Sequence, residues 1–272
     1  MSFLNDEINI RDLSIPGTHN SASSKFIDNN NEEVQFRMIN QVWTIKEQLY
    51  CGIRYFDLRI GGNFMIYHSV YSTIFSFNDT MKIFDTFLKE NPNEFLFVRF
   101  QFYNFTCFNL NIHKCYVKYI KSVFDDNYHL FYLQKDFPEI KFIRGKIYPF
   151  IEYFKYQNFT DWHEAQKEKI YLQDIFDFKG MNSINRPYYL TKKREYILHY
   201  LNTDFIDSKK ERLIINHCSM KNKKIKATSV FVSFITNEVV YKNKKIRGIV
   251  IFDYPSEELV KHVIDVNFHK DI

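Results

Sequence analysis

Residues 13–21 read LSIPGTHNS, a short apolar run that ends in a glycine turn, a histidine and an amide. This pattern predicts a buried strand that brings the imidazole of His19 to an open surface. Histidine changes its charge near neutral pH, so it is the side chain most often used as a general base or acid. The chemical role of His19 therefore depends on which side chains from the rest of the chain lie next to it.

Three other apolar runs end in the same kind of polar side chain. On a strand, side chains alternate between the two faces, so a carboxylate and a guanidinium two positions apart share a face. The sequence thus places two aspartates, an arginine and a second histidine at strand ends far apart along the chain. They are Asp57 and Arg59 in GIRYFDLR (52–59), His68 in FMIYHS (64–69) and Asp253 in GIVIFDYP (248–255).

These motifs resemble those of the phosphatidylinositol-specific phospholipases C, and within that family the small bacterial branch that works without a metal. The resemblance covers nearly the whole chain and depends on the order and placement of several short motifs. The motifs are SIPGTH (14–19), QL (48–49) followed by GIRYFDLR (52–59), IYH (66–68), RGKI (144–147), NH (216–217) and KIRG (245–248) leading into FDYP (252–255). The resemblance implies an α/β fold, a distorted (β/α)8 TIM barrel.

The length and patterning of the chain fit one such barrel over residues 1–272. Barrels of about 250 residues are ordinary, and no linker rich in glycine, serine and proline divides the chain. Strands that alternate with helices predict a parallel sheet with catalytic groups at the carboxyl ends of its strands. Strands are predicted at 13–18, 53–58, 64–67, 95–100, 146–150, 213–216 and 249–252, and helices at 44–51, 78–90, 114–126, 194–207 and 229–241. Residues 151–193 show no clear pattern.

The resemblance gives each of the strand-end residues a catalytic role. His19 would be the general base that takes the proton of the inositol 2-hydroxyl, and Asp253 would fix the tautomer of His19. His68 would be the general acid for the departing glycerol oxygen. Arg59 would take the place that calcium holds in the eukaryotic relatives, with Asp57 orienting it. The products would be diacylglycerol and a cyclic inositol phosphate.

Residue 20 departs from the bacterial pattern. The relatives usually have an aspartate directly after the first histidine, where this chain has Asn20. Asparagine keeps the hydrogen bonds but loses the charge. The calcium-dependent branch has a metal-binding asparagine here, but it also has a carboxylate where Arg59 stands, and a guanidinium would repel a divalent cation. We therefore count Asn20 in the catalytic set and expect neither a metal nor another cofactor.

Four residues are expected to bind the inositol headgroup, again by resemblance. Gln101 falls where the relatives carry a lysine, and Phe176 where they carry a tyrosine that stacks on the ring. Arg144 matches an arginine that contacts inositol, and Asp174 an aspartate that accepts hydrogen bonds from its hydroxyls. A phosphorylated headgroup would need extra cations, which the replacement of lysine by Gln101 does not supply. Plain phosphatidylinositol is the expected substrate.

Several other conspicuous residues are interpreted as structural. His217 is expected to have a structural role, and Arg54 to be an ion-pair partner. The four cysteines show no CxxC pair and no zinc spacing, so buried free thiols are expected. Cys107 and Cys115 could pair if the protein were secreted.

Composition and charge limit the cellular partners. The net charge of +5 is modest and no nucleic-acid recognition motif is present. No run reaches the roughly 18 apolar residues of a membrane span, and residues 1–11 lack the core of a signal peptide. We expect a cytoplasmic monomer that contacts the membrane transiently.

Two features are candidates for that membrane contact. The basic run MKNKKIK (220–226) is either a solvated loop or part of the active-site rim, where lysines would attract anionic lipid. Phe26 and Phe36, in a long polar loop, are candidates to enter the lipid. Trp43 is expected to be a core contact instead.

Other functions remain open at this stage. Asn20 and Gln101 allow a catalytically impaired barrel that serves as a membrane or headgroup-binding module, although a binding module has no need of a base and acid pair. Another alternative is cleavage of glycosyl-phosphatidylinositol anchors or of another lysophospholipid. Magnesium-dependent relatives of the sphingomyelinase and glycerophosphodiesterase type are disfavoured, because their carboxylate cluster is missing from the sequence.

Overall fold

The computed structural model describes residues 1–27, 38–102, 110–176, 185–202, 211–220 and 228–269. The strands are β1 (Ser14–Thr18), β2 (Tyr55–Ile60), β3 (Met65–His68), β4 (Tyr71–Ser76), β5 (Leu96–Phe102), β6 (Ile147–Glu152), β7 (Thr160–Asp161), β8 (Ile170–Gln173), β9 (Leu213–His217) and β10 (Gly248–Phe252). The α-helices are α1 (Ile45–Cys51), α2 (Phe77–Glu90), α3 (Leu110–Asp126), α4 (Ile140–Ile143), α5 (Trp162–Glu168), α6 (Arg186–Leu201), α7 (Thr228–Tyr241) and α8 (Glu257–Asp265). Short 3-10 turns lie at Ile10–Asp12, Tyr128–Leu130 and Val266–Phe268.

Eight of the strands pair side by side into a curved sheet. Their order is β7-β6-β5-β2-β1-β10-β9-β8, and every pairing along this path is parallel. Among the described residues β7 and β8 end the path and do not pair with each other. The sheet is therefore a barrel that is open on one side, which confirms the predicted distorted (β/α)8 TIM barrel.

The hairpin of β3 and β4 lies outside this parallel path. β3 pairs antiparallel with the end of β2, through Ile60 and Ile66, and β4 pairs antiparallel with β3. Residues 64–67 were predicted as one of the alternating strands of a parallel sheet. Residues 61–64 are too few for a parallel crossover, which needs about a dozen residues or more. The chain turns back instead, and β3 and β4 form a hairpin next to the carboxyl end of β2.

Local sequence signals explain where the helices begin. Thr44 and Glu47 form a capping box at the start of α1, with each side chain bonded to the other residue's backbone N–H. Ser76 and Ser256 cap α2 and α8 through side-chain oxygens. The helix predicted at 194–207 begins earlier, at Arg186, because Pro187 is well suited to the first turn of a helix.

Gly248 provides a test of how closely the barrel strands approach. It begins β10 with φ +89°, and an added Cβ would lie 2.1 Å from the carbonyl oxygen of Ile214 on β9. We expect Gly248→Ala to lower the free energy of unfolding by about 2–4 kcal/mol, because left-handed strain and a backbone clash act together. Urea unfolding followed by circular dichroism would measure this loss.

The matched control is Gly62→Ala, because nothing among the described residues lies within 4 Å of a Cβ at Gly62. This variant should stay within about 0.5 kcal/mol of the parent protein. Equal losses in the two variants would contradict the assigned role of Gly248.

Candidate active site

The residues that face the inside of the barrel change from apolar to polar toward the carboxyl ends of the strands. The apolar ones pack together in one buried cluster. On each strand these residues follow the two-residue period, and because the strands are parallel the polar residues meet at one end of the barrel. The inner-face residues, strand by strand, are Ile15 and His19 near β1, Tyr55, Asp57 and Arg59 on β2, Phe97, Arg99 and Gln101 on β5, Phe150 and Glu152 on β6, Ile215 and His217 on β9, and Ile251 and Asp253 on β10.

His19 and Asp253 form a hydrogen-bonded pair at this end. Strands β1 and β10 are in register, with Thr18 opposite Phe252, so the next residues of both strands emerge side by side. The distance between His19 Nδ1 and Asp253 Oδ1 is 2.9 Å. Asp253 is buried, and Asn237 of α7 donates a hydrogen bond to its backbone carbonyl. The structure thus brings together two residues that are far apart in the sequence.

Arg59 lies on the other side of the His19 ring and determines its tautomer. Nη2 of Arg59 is 3.1 Å from Nε2 of His19 and 3.3 Å from Oδ2 of Asp57. A guanidinium can only donate hydrogen bonds, so Nε2 of His19 must be the acceptor. The proton of the neutral imidazole then lies on Nδ1 and is donated to Asp253. His19 is therefore held with an unprotonated Nε2, as a base requires.

Asp57 lies below Arg59 as a buried carboxylate. Its Oδ2 accepts hydrogen bonds from Arg59 and from the backbone N–H of Asn20. Burial opposes ionisation of Asp57, but the Arg59 and Arg99 guanidiniums hold the pKa of its carboxyl well below the usual range. Asp57 therefore stays ionised and keeps Arg59 in place.

Asn20 belongs to the same cluster. It has φ +46°, in the left-handed region that asparagine tolerates better than most residues. Its side-chain nitrogen donates to Oδ1 of Asn40, 3.1 Å away. Its own Oδ1 has no hydrogen-bond partner among the described residues. Asn20 thus links Asp57 to the segment that contains Asn40.

His68, at the end of β3, faces His19 across the site. The two ring centroids are 6.3 Å apart and the rings are inclined by 70°. Nδ1 of His68 lies 2.7 Å from the carbonyl oxygen of Met38, which can only accept, so this nitrogen carries a proton. A second proton on the ring would therefore be carried by Nε2.

A second polar cluster lies next to Asp57 and includes residues that the sequence analysis missed. Arg99 donates through Nε to Oε2 of Glu152 at 3.0 Å, and Gln101 donates to the same oxygen at 2.8 Å. Nη1 of Arg99 is 3.7 Å from Asp57, and its guanidinium lies 4.4 Å above the Trp162 ring. Gln101, which was predicted from the sequence, thus lies at the carboxyl end of the barrel. The positive charge of this second polar cluster comes from Arg99, which was not predicted. The two-residue period that places Gln101 on the inner face would also have identified Arg99.

Asp174 and Phe176 lie after β8, at the same end of the barrel. Oδ1 of Asp174 is 3.7 Å from Nδ1 of His217, and Phe176 is exposed. His217 ends β9, is buried, and its ring centroid lies 6.1 Å from that of His19. Three of the four residues predicted for the headgroup pocket are therefore at the barrel end that holds His19.

Arg144 is the exception, and its assignment to the headgroup pocket was wrong. It ends α4, before β6 begins, so it lies at the amino end of the barrel. Its Nε donates to Asp6 at 2.6 Å and its Nη2 to the carbonyl oxygen of Leu4 at 3.0 Å. Arg54 also lies at this end, paired with Glu94 at 2.8 Å, as its structural interpretation predicted.

Other expectations have mixed outcomes. Phe26 was a candidate to enter the lipid, but its side chain is 1% exposed, so that prediction is wrong. Trp43 packs against the core, which confirms its predicted role. Phe36 and the lysines of the basic run lie outside the described residues. Cys51, Cys115 and Cys218 are free thiols, but Cys218 alone of these is buried and Cys115 is exposed. The suggested partner of Cys115, Cys107, lies outside the described residues.

Of the helices in the described ranges, none combines the length and the apolar character needed to cross a bilayer. In the same ranges, no three histidine, cysteine, aspartate or glutamate side chains are grouped so that they could hold a metal ion.

Comparisons with known proteins agree with this architecture. No family model matches the chain. A 1-phosphatidylinositol phosphodiesterase from Listeria monocytogenes is 25% identical over 292 residues, which span 98% of this chain and 84% of the relative. The solved phosphatidylinositol-specific phospholipase C from Listeria monocytogenes superposes with a TM-score of 0.80 at 24% identity, covering 98% of this chain and 97% of that one. A Staphylococcus aureus phospholipase C of the same specificity gives 0.75 at 19% identity, covering 98% and 96%. The resemblance to bacterial phosphatidylinositol-specific phospholipases C is confirmed.

Proposed function

We propose that this chain, as a relative of the bacterial phosphatidylinositol-specific phospholipases C, cleaves phosphatidylinositol into diacylglycerol and a cyclic inositol phosphate. The observation that carries the proposal is the state of His19. Asp253 contacts its Nδ1 and Arg59 its Nε2, so the ring is held with Nε2 unprotonated. The ring centroid of a second imidazole, that of His68, lies 6.3 Å from the ring centroid of His19. This is the arrangement that a base and an acid on opposite sides of a phosphodiester require.

In the first step, Nε2 of His19 takes the proton of the inositol 2-hydroxyl. The hydroxyl oxygen then attacks the phosphorus of the same molecule, so no protein nucleophile is needed. Asp253 accepts a hydrogen bond from Nδ1–H of His19, without taking the proton, and stabilises the imidazolium that forms. The base and its supporting carboxylate are thus both in place before the substrate binds.

In the same reaction, His68 protonates the glycerol oxygen as the phosphorus–oxygen bond breaks. The Nδ1 proton of His68 is committed to the carbonyl oxygen of Met38. The proton that is transferred therefore comes from Nε2 of the imidazolium. The roles of His68 and His19 reverse if water later opens the cyclic phosphate, because each then holds the proton state that the other began with.

Arg59 supplies the positive charge for the phosphoryl oxygens. Its Nη2 is shared between His19 and Asp57, and its Nε has no hydrogen-bond partner among the described residues. A planar guanidinium can offer more than one donor to a phosphate. A fixed cation at this position would repel a divalent ion, which supports metal-independent catalysis.

Glu152 bears on the choice of headgroup. This buried carboxylate lies in the wall formed by Arg99 and Gln101, and its Oε2 accepts hydrogen bonds from both. A carboxylate in the pocket can accept hydrogen bonds from ring hydroxyls, but it repels a phosphate on the ring. We therefore propose plain phosphatidylinositol, rather than its phosphorylated forms, as the substrate.

Membrane contact is proposed for an apolar part of the rim on α6 and α7. The first turns of α7, which follow β9, expose Phe231 by 53% and Phe234 by 73%, and Tyr188 is exposed on the neighbouring α6. Exposed aromatic side chains at the mouth of a lipid-cleaving site would insert among the headgroups.

Serine at both Phe231 and Phe234 should weaken binding to phosphatidylinositol vesicles about tenfold, because two apolar side chains that leave water on binding are lost. Vesicle sedimentation would measure this. Turnover of soluble cyclic inositol phosphate should stay unchanged, and serine at Phe142, which is exposed on α4 at the other end of the barrel, is the control. Equal vesicle binding by all these proteins would exclude the proposed contact.

The overall proposal is tested by incubating the protein with phosphatidylinositol vesicles in excess EDTA. The soluble products would be identified by phosphorus NMR. We expect cyclic inositol phosphate at a rate that added calcium does not raise. Activity that appears only with calcium would overturn the assigned role of Arg59. No release under either condition would overturn the enzymatic proposal and favour the headgroup-binding module.

A further inference from the structure

The His217 side chain lies at the floor of the site but has no hydrogen bond within the described residues. It is 2% exposed, and neither Nδ1 nor Nε2 has a hydrogen-bond partner there. The Asp174 carboxylate approaches Nδ1 to 3.7 Å, which is too far for a hydrogen bond. A buried imidazole that supports a fold normally bonds through at least one nitrogen. Within the described residues, the structural role expected for His217 from the sequence therefore has no side-chain hydrogen bond to support it.

The backbone at His217 is, by contrast, firmly held. His217 pairs with Ile251 of β10, and its carbonyl oxygen accepts a hydrogen bond from Nε2 of Gln173 at 2.8 Å. Gln173 is itself held by the buried Lys193, whose Nζ donates to Oε1 at 3.1 Å. The imidazole is thus presented at a fixed position on a rigid strand end, which suits a group that binds a ligand.

The surroundings of the ring keep it uncharged at neutral pH. Burial lowers the pKa of His217 to about 4, against the opposing attraction of Asp174 and Asp57, while His19 and Arg99 lower it further. A neutral imidazole has one N–H donor and one acceptor nitrogen. A hydroxyl of a polyol can match either nitrogen, because a hydroxyl can both donate and accept.

We propose that His217 binds ring hydroxyls of the inositol headgroup and helps to select a cyclic polyol. This inference rests on the proposed function and adds a specificity-determining residue to it. The His217 ring lies 6.1 Å from the proposed base, His19, between ring centroids. An inositol ring whose 2-hydroxyl contacts His19 would carry its other hydroxyls close to the neighbouring His217 ring. Asp174, whose Oδ1 is 3.7 Å from Nδ1 of His217, would accept from the same set of hydroxyls.

The test compares His217→Phe, which keeps an aromatic ring but removes both nitrogens, with His217→Gln, which keeps a donor and an acceptor. The control is His129→Phe, at an exposed histidine paired with Asp85 on the surface. Turnover of soluble inositol 1,2-cyclic phosphate would give KM and kcat without the membrane. Competition by free myo-inositol would give its inhibition constant. Release from phosphatidylinositol vesicles would be measured in parallel.

For His217→Phe we expect both KM and the myo-inositol inhibition constant to rise about tenfold or more, with kcat changed less than threefold. His217→Gln should recover most of both losses, and His129→Phe should match the parent protein. A merely structural role would change stability or kcat without the parallel rise in the inhibition constant. If His217→Phe does not fold, the same constants measured for His217→Gln and for His217→Ala decide.

The outcomes separate this inference from the proposed function. An active parent protein with unchanged KM and inhibition constant in the His217 variants would overturn the inference alone. A parent protein that releases no inositol phosphate from vesicles and does not hydrolyse the cyclic phosphate would overturn the proposed function, and the inference with it.

Discussion

Alanine at position 19 is expected to lower the rate of phosphatidylinositol cleavage by about 10²–10⁴-fold, the range that a positioned general base contributes. The reason lies in the contacts of His19. Asp253 and Arg59 hold this ring in one tautomer, and among the imidazoles that the structure describes no other has both of these contacts. The measurement is release of soluble inositol phosphate from vesicles in EDTA, with circular dichroism to confirm that the variant folds.

His129→Ala is the matched control for this experiment, because His129 is an exposed histidine outside the site. Its activity should equal that of the parent protein. An activity loss of less than tenfold in His19→Ala would mean that another group, or solvent, takes the proton of the 2-hydroxyl. The proposed role of His19 would then be wrong.

Lysine at position 59 is expected to lower kcat by about 10²–10³-fold even though the charge is kept. Nη2 of Arg59 contacts both His19 and Asp57, and Nε has no hydrogen-bond partner among the described residues, so Nε can donate to the phosphate. The ammonium of lysine is a compact charge and lacks this planar set of donors. Loss of one well-placed donor to developing charge costs a factor of this size in other enzymes. Calcium should not restore the rate, because the Asp57 carboxylate alone is a poor site for it.

The matched control is Arg144→Lys. Arg144 makes its hydrogen bonds with Asp6 and the carbonyl oxygen of Leu4 at the amino end of the barrel, so activity should change less than about twofold. A large loss of headgroup affinity in this variant would show that Arg144 reaches the substrate after all. Parent-like activity of Arg59→Lys would show that a point charge is sufficient at position 59.

The second polar cluster changes how the Gln101 replacement is understood. From the sequence, glutamine in place of lysine suggested a pocket short of positive charge. The structure has a buried arginine on the same face of the same strand, two residues earlier, and Arg99 is neutralised by Glu152 and Asp57. The pocket therefore keeps a cation, but one whose charge is balanced inside the protein. This balance is a further reason to expect an uncharged ring as the ligand.

The sequence by itself determined the residues that end the inner faces of the strands. An apolar run followed by a polar residue is a local pattern, and parallel strands bring such ends together whatever else the fold contains. His19, Asp57, Arg59 and Asp253 were found in this way, and they lie together at the carboxyl end of the barrel. The barrel class followed from the same alternation together with the family resemblance.

Only the tertiary structure decided properties that depend on direction and on partners. Arg144 matched a motif, but it precedes its strand, so it lies at the opposite end of the barrel from His19. Glu152 and α5 fall in a stretch without clear periodicity, and their place became evident through pairing with β5 and contact with Arg99. The state of His217 depends on what surrounds its ring, because burial and the absence of a hydrogen-bond partner among the described residues are properties of several segments at once. Local pattern thus specifies which residues a strand presents, and only packing specifies what each of them meets.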